Sequence, residues 1–212
     1  MGKVKCQLAI SLDGYVAGPR QSLDDPLGVD GMELHRWVFD LEAWRGPQGL
    51  EGGDTNPSSQ VIKEAQDVGA TVMGRNMFGG GPGSWRDDPP WTGWWGEDPP
   101  YHTPVFVLTH HPRDPLPMQG GTTFHFVTDG IVSALEQARQ AAGDRDVLIA
   151  GGANAVQQYL AAGLIEELQL HIVPYVLGDG ERLLEHVGDL RLEQTRVIEA
   201  PGVVHLTYRV NP

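Results

Sequence analysis

The stretch Val147-Leu148-Ile149-Ala150-Gly151-Gly152-Ala153-Asn154-Ala155 decides how this chain is read. An apolar run, short enough for a strand, meets two glycines and then a helix with Val156, Tyr159 and Leu160 on one side and Gly163 as its stop. Glycine lets a ligand approach the backbone closely. A helix N-terminus offers unpaired N–H groups and the positive end of a dipole. Such a junction can hold a pyrophosphate. Taken alone, it reads equally well as a tight strand-to-helix turn with no ligand. It is not a GxGxxG fingerprint, and the chain has no Walker-type loop.

Strands and helices alternate upstream. Val4, Cys6, Leu8 and Ile10 alternate with Lys3, Lys5, Gln7 and Ala9, which predicts a first strand ended by Asp13-Gly14. Met32, Leu34, Trp37, Val38 and Leu41 have helical spacing and predict a helix over 31–45. Asn56 as N-cap, Pro57 at the first position and Gly69 past the end predict a helix over 58–68. Strands are expected at 70–74, 104–109, 123–128 and 146–150, with a helix over 131–142. Three β-rich stretches, 167–177, 190–199 and 203–210, finish the chain, the last two joined by an Ala200-Pro201-Gly202 turn. The alternation argues an α/β domain over 1–212 with a mostly parallel central sheet. The tail argues antiparallel strands added at one edge. Residues 18–56 and 79–103 are too long for plain connections and are candidate functional loops.

Composition narrows the function. Of 212 residues, 40% are hydrophobic and 20% charged, which is globular composition. A formal net charge of −13 repels phosphate backbones, so no nucleic acid is expected as a partner. The single cysteine, Cys6, sits in the alternating first strand and reads as a core residue; it forms no internal disulfide, which fits a cytoplasmic protein. No signal peptide and no run of about 18 apolar residues is read, so no membrane partner is expected.

Three other segments carry possible chemistry. Thr71-Val72-Met73-Gly74-Arg75-Asn76 places an arginine at the end of a parallel strand, suited to a phosphate; an ordinary surface ion pair is the plain alternative. Pro104 to His111 ends a strand in Thr109, His110 and His111, which also suit a phosphate. Adjacent strand residues point to opposite faces, so the two histidines do not chelate one metal, and no metal site is expected. In Ser11-Leu12-Asp13-Gly14-Tyr15, Asp13 reads either as a functional carboxylate or as a turn residue bonding its own backbone.

In this order, Ser11-Leu12-Asp13-Gly14, Met73-Gly74-Arg75, Val107-Leu108-Thr109 and Gly151-Gly152 with its helix resemble the dihydrofolate reductase superfamily. The nearer likeness is to the reductase domain of bacterial riboflavin biosynthesis and its stand-alone relatives, and it covers nearly the whole chain. The resemblance implies a three-layer fold: a central, mixed, mostly parallel sheet flanked by about four helices, with an antiparallel C-terminal hairpin. It implies an oxidoreductase with NADPH across the carboxyl ends of the strands. Gly151, Gly152, Ala153 and Asn154 would contact the pyrophosphate; Gly74, Arg75, Asn76, Thr109 and His110 would approach the adenosine end, its 2′-phosphate included. It also implies a cis peptide between Gly151 and Gly152, and a homodimer.

Dihydrofolate reductases place an acidic residue on the first helix, and either Asp40 or Glu33 could fill that place here. The chain departs from that pattern in two places. No zinc-bearing deaminase domain is present, and the loop with Trp85, Trp91, Trp94 and Trp95 is longer than the pattern needs. That loop reads as a lid on its own protein, a substrate wall or a dimer contact. The substrate is expected to be a small flat heterocycle, of pterin or riboflavin-precursor pyrimidine type, held between the Asp13 turn, the 31–45 helix and the tryptophan-rich loop. Asp13 is the candidate catalytic proton donor. The rival reading is a non-catalytic nucleotide-binding or partner-binding module on the same fold.

Overall fold

The computed structural model describes residues 2–85 and 89–211; residues 86–88 of the tryptophan-rich loop, with Met1 and Pro212, lie outside the described residues. Eleven strands are described: β1 Val4–Ser11, β2 Tyr15–Ala17, β3 Ala70–Gly74, β4 Pro104–Leu108, β5 Leu116–Pro117, β6 Thr123–Val127, β7 Val147–Gly151, β8 Glu167–Val173, β9 Glu181–Arg182, β10 Arg191–Ala200 and β11 Val203–Asn211. Six α-helices accompany them: α1 Arg36–Phe39, α2 Glu42–Arg45, α3 Pro57–Gln66, α4 Arg75–Phe78, α5 Gly130–Ala142 and α6 Ala153–Ala161.

Nine strands form one sheet in the order β10-β11-β8-β1-β7-β3-β4-β6-β5, and β2 pairs with β9 in a small second sheet. The contacts from β8 across to β6 are all parallel. The β10–β11 hairpin joins antiparallel at β8, and β5 closes the other edge antiparallel to β6. A mostly parallel sheet with an added hairpin is the architecture the alternation of elements predicts.

The alternation in β1 sorts the two faces. Val4, Cys6 and Ile10 face the side covered by α5 and α6, in a core with Ala134, Ala138, Val156 and Tyr159. The opposite face has two separate covers. Ala9 and Val173 pack under Leu34 and Trp37. Met73, Val105, Val107 and Phe124 pack under Phe78 with Trp85, Trp91 and Trp95. A gap remains between these covers, and it becomes the candidate site.

The 58–68 helix forms as α3, starting one residue earlier and ending two residues earlier. The Asn56 side chain accepts from Ser58 N at 2.8 Å, while the Ser59 hydroxyl accepts from Asn56 N at 3.2 Å, a reciprocal cap. The 31–45 helix does not form in one piece. It is a 3-10 turn at Gly31–His35 followed by α1 and α2, with Leu41 extended between them. The backbone there bonds sideways to Asp54: Glu42 N donates to Asp54 O at 3.0 Å, and Asp54 N donates to Asp40 O at 2.6 Å. Those bonds replace the helical ones that periodicity alone would demand.

Candidate active site

A cavity of about 900 Å3 runs past the carboxyl ends of β3, β4, β6 and β7 and in under the α1–α3 cover. That is where ligands sit in open α/β sheets. At its centre β7 ends in Gly151, whose φ of +132° disfavours any side chain, and the Gly151–Gly152 peptide bond is cis. Gly152 then starts α6 with no side-chain cap and no acidic residue in the first turn. The backbone N–H groups of Ala153 and Asn154 therefore sit at the cavity without a cap. A Cβ built on Gly152 would meet nothing within 4 Å. Gly74 closes up behind: a Cβ there would lie 3.3 Å from Ala155 Cβ and 3.6 Å from Gly152 N.

A second helix opens on the same cavity. α5 begins at Gly130, its N-cap Asp129 makes no side-chain capping bond, and its first turn has no acidic residue. Thr128, Gly130 and Ile131 line the wall. Two helix N-termini thus present N–H groups and positive dipole ends to one space.

Arg75 lines the same cavity directly after β3, which lies between β7 and β4 in the sheet. Its Nε donates to Gly79 O at 3.2 Å, and Nη2 donates to Gly81 O at 3.0 Å and Gly83 O at 3.3 Å. Nη1 donates to the Thr109 hydroxyl at 3.3 Å, which itself accepts from His111 N at 3.1 Å. The guanidinium lies over the Trp85 ring, with Cζ 3.3 Å from the centroid. Arg75 therefore organises the 79–83 glycine loop as well as facing the cavity. Partial burial, and then Arg113, push its pKa down.

Every predicted cofactor residue, from Gly74, Arg75 and Asn76 through Thr109 and His110 to Gly151, Gly152, Ala153 and Asn154, lines this one cavity. Asp13 is not among the residues that line it. Its Oδ1 accepts from the Ser11 hydroxyl at 2.6 Å and from Leu177 N at 3.1 Å; Oδ2 accepts from Gly178 N at 2.7 Å. The Ser11 hydroxyl foremost, then the Gly178 and Leu177 amides, hold its carboxyl down at about 2. Through these bonds Asp13 ties the turn after β1 to residues 177–178. Glu33 pairs with Arg36 at 2.5 Å, and neither Glu33 nor Asp40 reaches the cavity.

Under the α1–α3 cover the cavity is lined by groups that carry no sequence motif. His35, Trp37, Trp44 and His171 are among them, and Trp94 and Trp95 line the same cavity. The tryptophan-rich loop packs on its own protein: Trp91 Nε1 donates to Phe78 O at 2.9 Å, and Trp95 stacks on Phe124 with centroids 5.9 Å apart. His171 is a lone histidine inside a β-rich stretch, and sequence spacing offers no signal for it. Its partner His205 is 34 residues away. Among the described residues no group of three His, Cys, Asp or Glu side chains gathers as for a metal, and no helix is long and apolar enough to cross a membrane.

Residues 2–206 match the family described as RibD C-terminal domain. The chain belongs to that family. Among curated proteins, uncharacterized protein YyaP of Bacillus subtilis (strain 168) is 32% identical over 89 residues, covering 41% of this chain and 46% of that protein, so the match spans about half of the relative's length. Among solved structures, a putative riboflavin biosynthesis protein from Shewanella sp. PV-4 superposes with a TM-score of 0.63 at 23% identity over 99% of both chains. Dihydrofolate reductase from Enterococcus faecalis, complexed with NADP(H) and RAB-propyl, superposes with a TM-score of 0.51 at 13% identity over 100% of this chain and 98% of that one. At these identities the superpositions establish the fold: this RibD C-terminal-type domain has a reductase-type, dihydrofolate reductase-like architecture, as its sequence resemblance implies.

Proposed function

We propose that this protein is an NADPH-dependent oxidoreductase that passes a hydride to a small flat heterocycle. The observation that carries the reading is the pair of uncapped helix N-termini, α5 and α6, opening on one cavity beside Gly151-Gly152. Free N–H groups and two positive dipole ends in a chain of net charge −13 form a local anion site against an adverse overall field. The room in front of Gly152 is the second part of the fit: a pyrophosphate can lie against backbone there because no side chain intrudes. The likeness to a dihydrofolate reductase solved with NADP(H) supports the same choice.

In this reading Gly152, Ala153 and Asn154 hold the pyrophosphate, and Arg75, Thr109 and His110 hold the adenosine 2′-phosphate. The nicotinamide group supplies the hydride. The protein's residues orient it and keep water from the inner end, where Trp37, Trp44 and Trp95 make aromatic walls for a flat ring. The protein works in the cytoplasm and as a homodimer. Because the tryptophan-rich loop packs inward, the dimer contact falls on the sheet edge or the terminal strands instead.

The test is NADPH oxidation, followed optically, against folates, quinones and nitro compounds. Turnover of at least one class supports the oxidoreductase reading. Tight NADPH binding without turnover of any class would leave the chain a binding module.

A further inference from the structure

Three side chains from three separate elements form a buried chain behind the inner wall of the cavity. His171 stands on β8 opposite Ala9 of β1 and His205 of β11. His171 Nδ1 and His205 Nδ1 are 2.7 Å apart, and His205 Nε2 is 2.8 Å from the Ser58 hydroxyl of α3. The Trp37 ring closes over both imidazoles edge-on, with centroids 5.1 and 5.0 Å away. His171 is 3% exposed and lines the cavity, yet its Nε2 has no hydrogen-bond partner among the described residues. Buried polar atoms of this kind almost always have a partner.

The geometry limits what that nitrogen can do. Two ring nitrogens at 2.7 Å need one N–H and one lone pair between them. If His171 Nδ1 carries the proton, its Nε2 is an acceptor, and His205 Nε2–H donates to Ser58. If His205 Nδ1 carries it, His171 Nε2 is a donor, and the Ser58 hydroxyl donates to His205. Ser58 serves either arrangement by turning its hydroxyl. His171 Nε2 is therefore either a donor or an acceptor, always on a neutral ring. Burial foremost, reinforced by the neighbouring imidazoles, keeps His171 neutral, with a pKa near 3.

The surroundings are equally short of charge. Among the described lining residues Arg75 is the one cation and Glu181 the one carboxylate. Arg75 lies at the loop end and is already held by Gly79, Gly81, Gly83 and Thr109. Among the described residues the other buried side-chain nitrogen of the cavity without a partner, Trp94 Nε1, is neutral as well. Among the described lining residues a phosphate on the substrate would find no second cation.

Resting on the NADPH reading above, we propose that His171, positioned by His205 and Ser58, is the specificity-determining residue of the substrate end, and that the substrate is an uncharged, unphosphorylated flat ring whose edge carries carbonyl or ring N–H groups. His171 Nε2 bonds that edge directly, while Trp37 and Trp44 face the ring.

The test uses the whole chain with saturating NADP+, and three probes with closely related rings: lumichrome, riboflavin and riboflavin 5′-phosphate, titrated by their fluorescence. The two uncharged rings are expected to bind, and the phosphorylated one at least about tenfold more weakly. His171→Phe is expected to lose about tenfold in affinity for the uncharged rings, the loss of one hydrogen bond in a buried site, and His171→Gln to recover most of it. NADPH affinity is expected to be the same in all three proteins. Binding of the phosphorylated probe as tightly as the others would overturn the proposal, as would no binding of either uncharged ring, or a folded His171→Phe that binds them like wild type. Should His171→Phe not fold, the wild-type comparison of the three probes decides. A wild type that fails to bind NADPH contradicts the cofactor reading itself, a different failure from NADPH bound and the rings refused.

Discussion

The Ser11 hydroxyl donates to the Asp13 carboxylate across 2.6 Å, and that carboxylate in turn accepts the Leu177 and Gly178 amides. Two chain segments more than 160 residues apart are joined by one side chain. Asp13→Asn should therefore lower the melting temperature and leave NADPH affinity and turnover unchanged. A carboxyl with a depressed pKa stabilises the fold above its unfolded value, near 4, and loses that contribution as the pH falls towards about 2. The Asn variant should consequently show a flatter melting profile below about pH 4. A loss of turnover at full stability would return Asp13 to the chemistry.

Gly152 offers a separation of folding from binding. Its φ is −68°, which any residue adopts, and the space before it is open. Gly152→Ala and Gly152→Val should melt like wild type and lose NADPH affinity, the valine more than the alanine. Thermal melting alongside a nucleotide titration checks both halves. A valine variant that binds as before would move the pyrophosphate elsewhere.

Arg75 has two duties, so its removal should have two effects. Arg75→Ala should loosen the 79–83 loop, visible as faster amide exchange there, because three carbonyls lose their donor. It should also reduce the preference for NADPH over NADH by roughly ten- to a hundred-fold, the value of one charge-assisted contact. An unchanged nucleotide preference would leave Arg75 with the loop alone.

The paired imidazoles predict an acid sensitivity of their own. Burial foremost lowers the pKa of His171 to about 3 and that of His205 to about 4. An unfolded histidine takes up its proton near 6.5, so between about pH 6.5 and pH 4 the unfolded chain binds more protons than the folded one. Their contribution is fully present above that window and is lost as the pH falls through it. Melting temperatures measured from pH 7.5 down to pH 4.5 should decline, and His171→Gln combined with His205→Gln should flatten the decline. An unaltered slope would mean that other groups set it.

The sheet was legible in the sequence because its strands are apolar and its turns are glycine-rich, from Gly74 to Gly151-Gly152. The cavity wall from Gly74 to Asn154 was legible for the same reason, since strand ends and helix starts are local signals. The break at Asp40-Leu41 was not, because it depends on Asp54 bonding sideways to the backbone. The partners of Asp13 were not legible, because a turn aspartate and a functional one look alike until Leu177 and Gly178 are placed beside it. His171 escaped notice because its meaning lies in His205 and Ser58, which only the sheet brings near.

The central claim, that two uncapped helix N-termini and Arg75 hold NADPH, is tested most directly by calorimetric titration of NADPH and NADH into the wild-type chain. One NADPH per chain is predicted, bound at least about tenfold more tightly than NADH. Equal affinity for the two nucleotides, or no heat of binding for either, would contradict it.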